Sequence, residues 1–219
     1  MKVILFGATG LIGQGVVREC LLHPGVETVL SIGRSAGGQQ HPKLRELMQR
    51  DFFDFSAIEN ELSGLDACFF CLGVSSAGMT EIRYRRITYD LTLAAAETLV
   101  KLNPGMTFVY LSGAGTDSTE RGRSMWARVK GQTENALLRL PFKAAYMFRP
   151  GVIVPLDGIR SKTKIYRMGY ALAGPLLRWM YPRFPKYITT TEQVGHAMIT
   201  VAQEGFPKSV LESSDINQL

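Results

Sequence analysis

Three glycines near the start of the chain have the type and spacing to bind phosphate. Gly7, Gly10 and Gly13 recur at every third position. The first permits the unusual backbone angles of a tight turn, the second leaves room for a pyrophosphate, and the third lets a helix pack closely. A helix that begins after such a turn offers unpaired N–H groups and a positive dipole end to phosphates. We therefore predict a dinucleotide pyrophosphate site at this turn.

A second group of polar side chains lies farther along the chain. Ser112 follows an apolar run, and Lys130 lies on a predicted helix, one turn after Trp126. A serine hydroxyl at the carboxyl end of a buried strand can hydrogen-bond a ligand carbonyl or hydroxyl. An indole N–H is a donor only, so Trp126 cannot transfer a proton near neutral pH.

Alternating strands and helices must position these residues. The pattern predicts an α/β fold, a Rossmann-like doubly wound parallel sheet with right-handed crossovers and a small C-terminal lobe. Whether residues 43–49 form a short helix or an extended connection is left open. Predicted strands are 3–6, 27–32, one ending at 50–52, 66–72, 107–111, 143–148 and an edge strand at 209–212. Predicted helices are 11–22, 56–62 with Ser56 as cap, 80–102, 124–138 and 192–202.

The run Gly7-Ala8-Thr9-Gly10-Leu11-Ile12-Gly13 resembles the fingerprint of extended and atypical short-chain dehydrogenases/reductases, among them nucleotide-sugar-epimerase-like and NmrA-like NAD(P)-binding proteins. The resemblance covers about residues 1–155. It implies that Ser112 is the catalytic serine. It also aligns the family's Tyr-x-x-x-Lys with Trp126 and Lys130, so the lysine keeps its ribose role and the proton-transferring tyrosine is replaced. Tyr84, Tyr89 or a water held by Ser112 are the alternatives for the missing acid.

The resemblance also implies a set of cofactor contacts. Asp51 accepts from the adenine amine and Phe52 covers the ring, although a plain loop pair is an equal alternative. The remaining predicted contacts belong to the glycine turn, the end of the fourth strand, the predicted helix 124–138 and the end of the sixth strand. They are Gly7, Thr9, Gly10, Leu11, Ile12, Gly13, Cys71, Leu72, Gly73, Lys130, Arg149, Pro150, Gly151 and Val152.

Arg34 decides which cofactor is predicted. It follows the second predicted strand, where NAD-binding folds carry an acidic residue that bonds the ribose hydroxyls. A planar guanidinium instead fits a 2′-phosphate, as in NADP-preferring members of the family that the chain resembles. We predict NADP(H), with a solvated loop arginine as the alternative.

Size and composition limit the remaining partners. The 219 residues fit one domain, in which residues 156–190 form a substrate lobe or lid. The net charge of +6 comes without a clustered basic patch, which argues against a nucleic-acid partner. Residues 165–181 favour a lid over a peripheral membrane contact, and a homodimer is left open.

The cysteines and histidines predict neither a metal site nor a disulfide framework. Cys68 and Cys71 have C-x-x-C spacing inside an apolar run, where packing is the expected role, and the histidines are scattered. Sparse cysteines and no signal peptide predict a cytoplasmic protein.

Two functions remain open. The first is an NADP(H)-dependent oxidoreductase or epimerase-like enzyme that acts on a small carbonyl or alcohol with a nonstandard proton donor. The second is a cofactor-sensing regulatory protein without turnover. Ser112 and Lys130 favour the first, whereas Trp126 favours the second.

Overall fold

The computed structural model describes residues 1–156 and 181–219, apart from the side chain of Pro182. In this part of the chain, seven parallel strands form the central sheet in the order β3-β2-β1-β4-β5-β6-β9. This order confirms the predicted doubly wound sheet. The strands are β1 Lys2–Phe6, β2 Thr28–Gly33, β3 Leu44–Met48, β4 Ala67–Phe70, β5 Thr107–Leu111, β6 Ala144–Arg149 and β9 Val210–Glu212; β7 Val152–Val154 and β8 Ile188–Thr190 pair separately.

Helices cover both faces of the sheet. On one face, α1 and α5 pack over a core that includes Val3 and Leu5; on the other, α3 and α4 pack over Ile4 and Phe6. Successive β1 residues thus enter opposite cores, which is why the strand is apolar throughout. The helices are α1 Leu11–Leu22, α2 Glu81–Arg85, α3 Leu91–Leu102, α4 Met125–Arg139, α5 Thr191–Gln203 and α6 Ser213–Ile216, with 3₁₀ turns at Ser56–Leu62 and Tyr181–Arg183.

The third strand differs from the prediction. Residues 44–48 form it, so the open question about residues 43–49 is answered in favour of an extended segment. Its edge position leaves Arg45 and Met48 exposed, which weakened the apolar signal. Asp51 and Phe52 consequently lie beyond the strand, not at its end.

Two predicted helices also differ in detail. Residues 56–62 form a 3₁₀ helix that Ser56 does not cap; instead, the Asp54 carboxylate accepts from the Ser56 N–H at 2.9 Å. The long helix predicted at 80–102 is α2 and α3, joined by a π-helical segment, Arg86–Asp90. Such a segment inserts one extra residue into the helix and is not visible in hydrophobic periodicity.

The cysteines of the C-x-x-C pair point to opposite faces. Cys68 is buried in the core under α3, whereas Cys71 packs against the core under α1. Burial raises the pKa of both thiols. This arrangement is that of packing residues, as the strand position indicated.

The predicted lobe falls largely on residues 157–180, outside the described residues, as does the stretch 165–180. Its two ends are joined by the parallel pair of β7 and β8, in which Val152 lies opposite Ile188. Among the described helices, none has the length and apolar character needed to cross a membrane. The division into one domain with a lobe at 156–190 stays a prediction.

Candidate functional site

The glycine turn between β1 and α1 shows three different requirements for glycine. Gly7 has φ +85°, and a Cβ atom there would lie 2.8 Å from the backbone of Cys71 and Leu72. A Cβ at Gly13 would lie 2.0 Å from the Gly7 carbonyl oxygen. A Cβ at Gly10 would contact the Gly7 oxygen alone, at 3.2 Å, and Gly10 is exposed. Packing within the protein therefore excludes a Cβ at Gly7 and Gly13, whereas a Cβ at exposed Gly10 would crowd one backbone oxygen only.

Helix α1 begins directly after this exposed glycine. Gly10 is its N-cap residue and supplies no side-chain cap, and the first turn has no acidic residue. The Gln14 amide donates to the Thr9 and Gly10 carbonyl oxygens, both at 3.2 Å, and braces the turn. The first N–H groups of the helix, at Leu11 and Ile12, thus face the space in front of the turn, which suits an anion.

The adenosine side of the edge is built differently from the prediction. Asp51 is exposed, and its carboxylate accepts from the Phe53 N–H at 2.9 Å. Phe52 is only 4% exposed and packs edge-on against Phe6, with ring centroids 6.1 Å apart. Its ring is part of the core and is not placed to cover an adenine. The exposed ring nearby is Phe53, with the Arg86 guanidinium 5.4 Å from its centroid.

A cleft of about 270 Å³ lies between the glycine turn, α1 and the loop after β2, and Thr9, Gln14, Ser31 and Glu46 are among its lining residues. The Glu46 carboxylate accepts from the Gly37 N–H at 2.6 Å and so holds the loop that follows Arg34. Sequence reasoning missed Glu46 because the third strand was predicted to end at residues 50–52, whereas β3 is Leu44–Met48.

Arg34 itself is exposed directly after β2. Within residues 1–156 and 181–219, its guanidinium forms neither a hydrogen bond nor an ion pair. The side chain is therefore available to a ligand beside the loop that follows β2.

The segment after β4 forms the next part of the edge. The Cys71 N–H donates to the Phe6 carbonyl at 2.9 Å, and the Cys71–Leu72 backbone lies against Gly7. Gly73 is exposed, and a Cβ there would meet nothing within 4 Å. These residues and the glycine turn share the carboxyl edge, where open α/β sheets place ligands.

The Ser112 hydroxyl is turned into the protein. It lies 2.5 Å from a Glu134 carboxylate oxygen and 3.0 Å from the Phe148 carbonyl, both of them acceptors. A hydroxyl has one proton, so Ser112 presents lone pairs to the edge of the sheet and no further donor. Glu134, 1% exposed, was missed by sequence reasoning, although its position one turn after Lys130 on α4 is visible in the sequence.

Arg149 completes this buried network. Its Nε donates to Glu134 at 3.0 Å, a second nitrogen pairs with the other Glu134 oxygen, and the same nitrogen donates to the Ser118 hydroxyl at 2.5 Å. The bond to Glu134 raises the pKa of Arg149 further. The guanidinium is therefore occupied by partners within the protein, and the Arg149 side chain is not placed to make the predicted contact with a cofactor.

The three residues after Arg149 keep their place at the edge. Pro150 accepts from the Ala114 N–H at 2.9 Å, and the Gly151 N–H donates to the Ser213 hydroxyl at 2.8 Å. A Cβ at Gly151 would lie 2.4 Å from the Tyr187 carbonyl oxygen, so packing within the protein requires glycine there. Val152 is exposed.

Lys130 and Trp126 lie together above the end of β5. The Lys130 ammonium donates to the Ser112 carbonyl at 2.8 Å and lies 5.4 Å from the Tyr110 ring centroid. Burial lowers the pKa of Lys130 to about 8, although the Glu134 charge acts in the opposite direction. The Trp126 indole reaches the loop after β5, 3.5 Å from the Cβ position of Gly115.

Of the two tyrosines considered as replacement acids, Tyr84 is poorly suited to the role. Tyr84 is 2% exposed, and burial raises its pKa, with a hydrogen bond to Thr88 acting against the shift. Tyr89 has the Arg85 guanidinium 4.3 Å from its ring centroid. By contrast, burial brings the pKa of Lys130 down to about 8.

Comparisons with known proteins agree with this architecture. No protein-family model matches the chain. It is 25% identical over 215 residues to Protein FMP52-2, mitochondrial, of Scheffersomyces stipitis, covering 95% of this chain and 90% of that protein. It is 28% identical over 224 residues to Protein fmp52-2, mitochondrial, of Aspergillus oryzae, covering 98% and 95%. The expectation of a cytoplasmic protein is contradicted by these relatives, which are named mitochondrial.

Solved structures give the same fold. The Bordetella bronchiseptica enzyme WbmF in complex with NAD⁺ superposes with a TM-score of 0.68 at 17% identity, covering 99% of this chain and 76% of that one. The UDP-N-acetylglucosamine 4-epimerase of Methanobrevibacter ruminantium gives a TM-score of 0.71 at 15% identity, covering 96% and 75%. The chain therefore has the Rossmann-like α/β fold of these enzymes.

Proposed function

We propose that the chain binds a nicotinamide dinucleotide along the carboxyl edge of its sheet, with the pyrophosphate at the start of α1. The observation that carries the proposal is the contrast among the three glycines. Packing explains Gly7 and Gly13, whereas Gly10 is exposed in front of uncapped N–H groups and a Cβ there would meet one protein atom, the Gly7 oxygen at 3.2 Å. A ligand that comes close to the backbone is the physical reason for a glycine there. The likeness to WbmF, named as a complex with NAD⁺, supports the same cofactor class.

We propose NADP(H) as the preferred form. Arg34 has no polar partner among the described residues and stands where a 2′-phosphate would be recognised. Glu46 acts in the opposite direction, because its carboxylate lines the neighbouring cleft and repels a phosphate. The Gly37 N–H that it accepts from offsets part of this repulsion. The preference therefore depends on the balance between one cation and one anion.

For activity, we propose an oxidoreductase or epimerase-like enzyme that acts on a small carbonyl or alcohol. The bound cofactor supplies or accepts the hydride. Lys130 supplies the accompanying proton, directly or through a water, since its lowered pKa keeps it protonated yet acidic near pH 7. Ser112 accepts a hydrogen bond from the substrate hydroxyl, because its own proton points to Glu134 and Phe148.

A second candidate function is a cofactor-sensing protein without turnover. Two observations favour it: Trp126 cannot donate an acidic proton, and the Ser112 hydroxyl has no donor left for a carbonyl. Both candidates require cofactor binding, so they differ in turnover alone.

One experiment separates the two candidates. NADPH oxidation is followed against a panel of small aldehydes and ketones for the wild-type chain, Lys130→Arg and Lys130→Met, after cofactor binding by each has been measured. Turnover by the wild type that Lys130→Met abolishes supports the enzyme. Cofactor binding without turnover on the whole panel supports the sensor.

We also propose a mitochondrial location, on the basis of the names of the similar fungal proteins. Fractionation of cells that express the full-length native protein, with matrix and cytosolic markers, tests it. Recovery of the protein with the cytosolic marker alone would reject the proposal.

A further inference from the structure

Helices α1 and α5 approach each other unusually closely on the face of the sheet away from α4. A Cβ at Gly15 would lie 2.7 Å from the Thr191 Cβ, and a Cβ at Gly195 would lie 2.7 Å from the Glu19 Cγ. Glycine inside a helix costs about 1 kcal/mol relative to alanine, so it needs a packing reason. Here the reason is contact between the helices, which presses the Glu19 side chain against α5.

Three potential metal ligands meet at this contact. Glu19 is 3% exposed, while Glu192 and His196 lie one helical turn apart on the adjoining face of α5. The His196 Nε2 is 3.1 Å from a Glu19 carboxylate oxygen. One ligand atom from each of the three residues lies within 4.8 Å of the others. The His196 side chain is 46% exposed, so the cluster is open to solvent on one side.

We propose that Glu19, Glu192 and His196 bind a divalent transition-metal ion, with Zn²⁺ as the best fit. One imidazole and two carboxylates are ligands that Zn²⁺ accepts in sites that keep a water in the fourth position. Tetrahedral ligands at zinc distances lie about 3.3 Å apart, close to the separation already present between Glu19 and His196. Glu192 is half-buried, and one of its carboxylate oxygens lies within 4.8 Å of the other two ligand atoms. The imidazole argues against Mg²⁺ and Ca²⁺, which prefer oxygen ligands.

The charges around Glu19 leave one oxygen for the metal. The Arg18 guanidinium pairs with one oxygen of the carboxylate, and the other oxygen faces His196. A metal on the His196 Nε2 would bring further positive charge to this buried carboxylate. The competing explanation is an ion-pair cluster in which protonated His196 supplies the charge, and the experiment below distinguishes the two.

The site would tie the first helix of the chain to one of its last. Glu19 lies nine residues after Gly10, about 13 Å along the helix axis from the proposed phosphate end. We therefore expect the metal to bind independently of the cofactor. A bound metal would stabilise the native state in proportion to its concentration and affinity.

Calorimetric titration of the full chain with ZnCl₂ alone, without a histidine tag and with a non-chelating reductant, tests the proposal. We expect one Zn²⁺ per chain, with affinity reduced at least tenfold in His196→Ala and in Glu192→Gln. The matched control is His41→Ala, since the His41 Nδ1 accepts from the Lys43 N–H at 3.1 Å, away from the cluster. Circular dichroism verifies that each variant is folded, and Glu192→Gln changes a helix-surface residue.

Thermal unfolding gives a second readout. Zn²⁺ should raise the Tm of the wild type and of His41→Ala, but not of Glu192→Gln, and Mg²⁺ should raise none of them. Absence of binding in the wild type, or equal binding by the wild type and both cluster variants, would overturn the proposal in favour of a plain ion-pair cluster.

Discussion

Lys130 is the residue whose ionisation decides the proposed chemistry. Burial lowers its pKa to about 8, so the ammonium is fully protonated below that pH and loses its proton as the pH rises through it. If Lys130 is the proton donor, the rate of carbonyl reduction should be flat below about pH 7 and fall above pH 8. The pH profile of kcat with saturating NADPH measures this.

Lys130→Arg is the control for this profile, because a guanidinium stays protonated over the whole range. We expect the variant to bind cofactor and to lose the fall in rate above pH 8, along with most of the rate itself. A wild-type profile that is flat from pH 6 to 10 would assign the proton to another group.

Arg34 and Glu46 set the cofactor preference between them. Removing the carboxylate charge at Glu46 should strengthen NADPH binding and leave NADH binding nearly unchanged, because only NADPH carries the 2′-phosphate. In Glu46→Gln, the amide oxygen takes the place of the carboxylate oxygen and can still accept from the Gly37 N–H. Arg34→Asp should remove the preference for NADPH. Affinities of both cofactors for the three proteins are measured by calorimetry, and an equal effect of Glu46→Gln on both would contradict the assignment.

The residues that were missed show why the site was only partly predictable. The glycine turn depends on local spacing, so the positions of Gly7, Gly10 and Gly13 in the turn between β1 and α1 could be predicted from the sequence. The partners of Ser112 and Arg149 could not, since Glu134 joins them only after α4 packs beside β5 and β6. The same holds for Phe52, whose burial against Phe6 depends on a loop that no periodicity describes.

Helix α4 brings the unusual tryptophan and the lysine to the same edge. Trp126→Tyr would place a titratable hydroxyl one turn before Lys130. We expect this variant to gain or raise carbonyl-reductase activity near neutral pH. Trp126→Phe is the matched control, because it changes the size of the ring without adding a hydroxyl. Rates of NADPH oxidation by the three proteins test this, and a wild type more active than Trp126→Tyr would show that the proton already has an efficient source.

The contact between α4 and β6 depends on a buried ion pair. Arg149→Met leaves the Glu134 carboxylate, 1% exposed, without its main cation. Breaking such a pair costs about 3–5 kcal/mol of unfolding free energy. Urea unfolding measures this loss. Arg45→Met, which breaks the exposed pair with Glu61, should cost much less. Similar losses in the two variants would mean that Glu134 finds another partner.

At the scale of elements, prediction succeeded where the pattern is local and strong. The bounds of α1 and β5 were predicted to the residue, because an apolar strand and a periodic helix each have clear ends. The edge strand β3 was left open because half of it faces solvent. The π-helical segment at Arg86–Asp90 was missed because one extra residue barely disturbs the apolar pattern.

At the scale of the whole molecule, the segments of the proposed cofactor site lie at one edge of the sheet. The parallel order of the strands brings the ends of β1, β4, β5 and β6 together, so residues far apart in the chain meet there. The alternation of strands and helices predicted the parallel, doubly wound arrangement, but not the order of the strands. The sheet alone does not show which chemistry occurs, since folds of this kind carry many activities.

Cofactor binding at the glycine turn is the central claim, and calorimetric titration with NADPH tests it most directly. We expect the wild type to bind one NADPH per chain and folded Gly10→Val to show no measurable binding, because a branched side chain fills the space proposed for the pyrophosphate. Gly105→Val is the control, since a Cβ at that exposed turn meets nothing within 4 Å and should leave binding unchanged. Undiminished NADPH binding by folded Gly10→Val would contradict the proposed site.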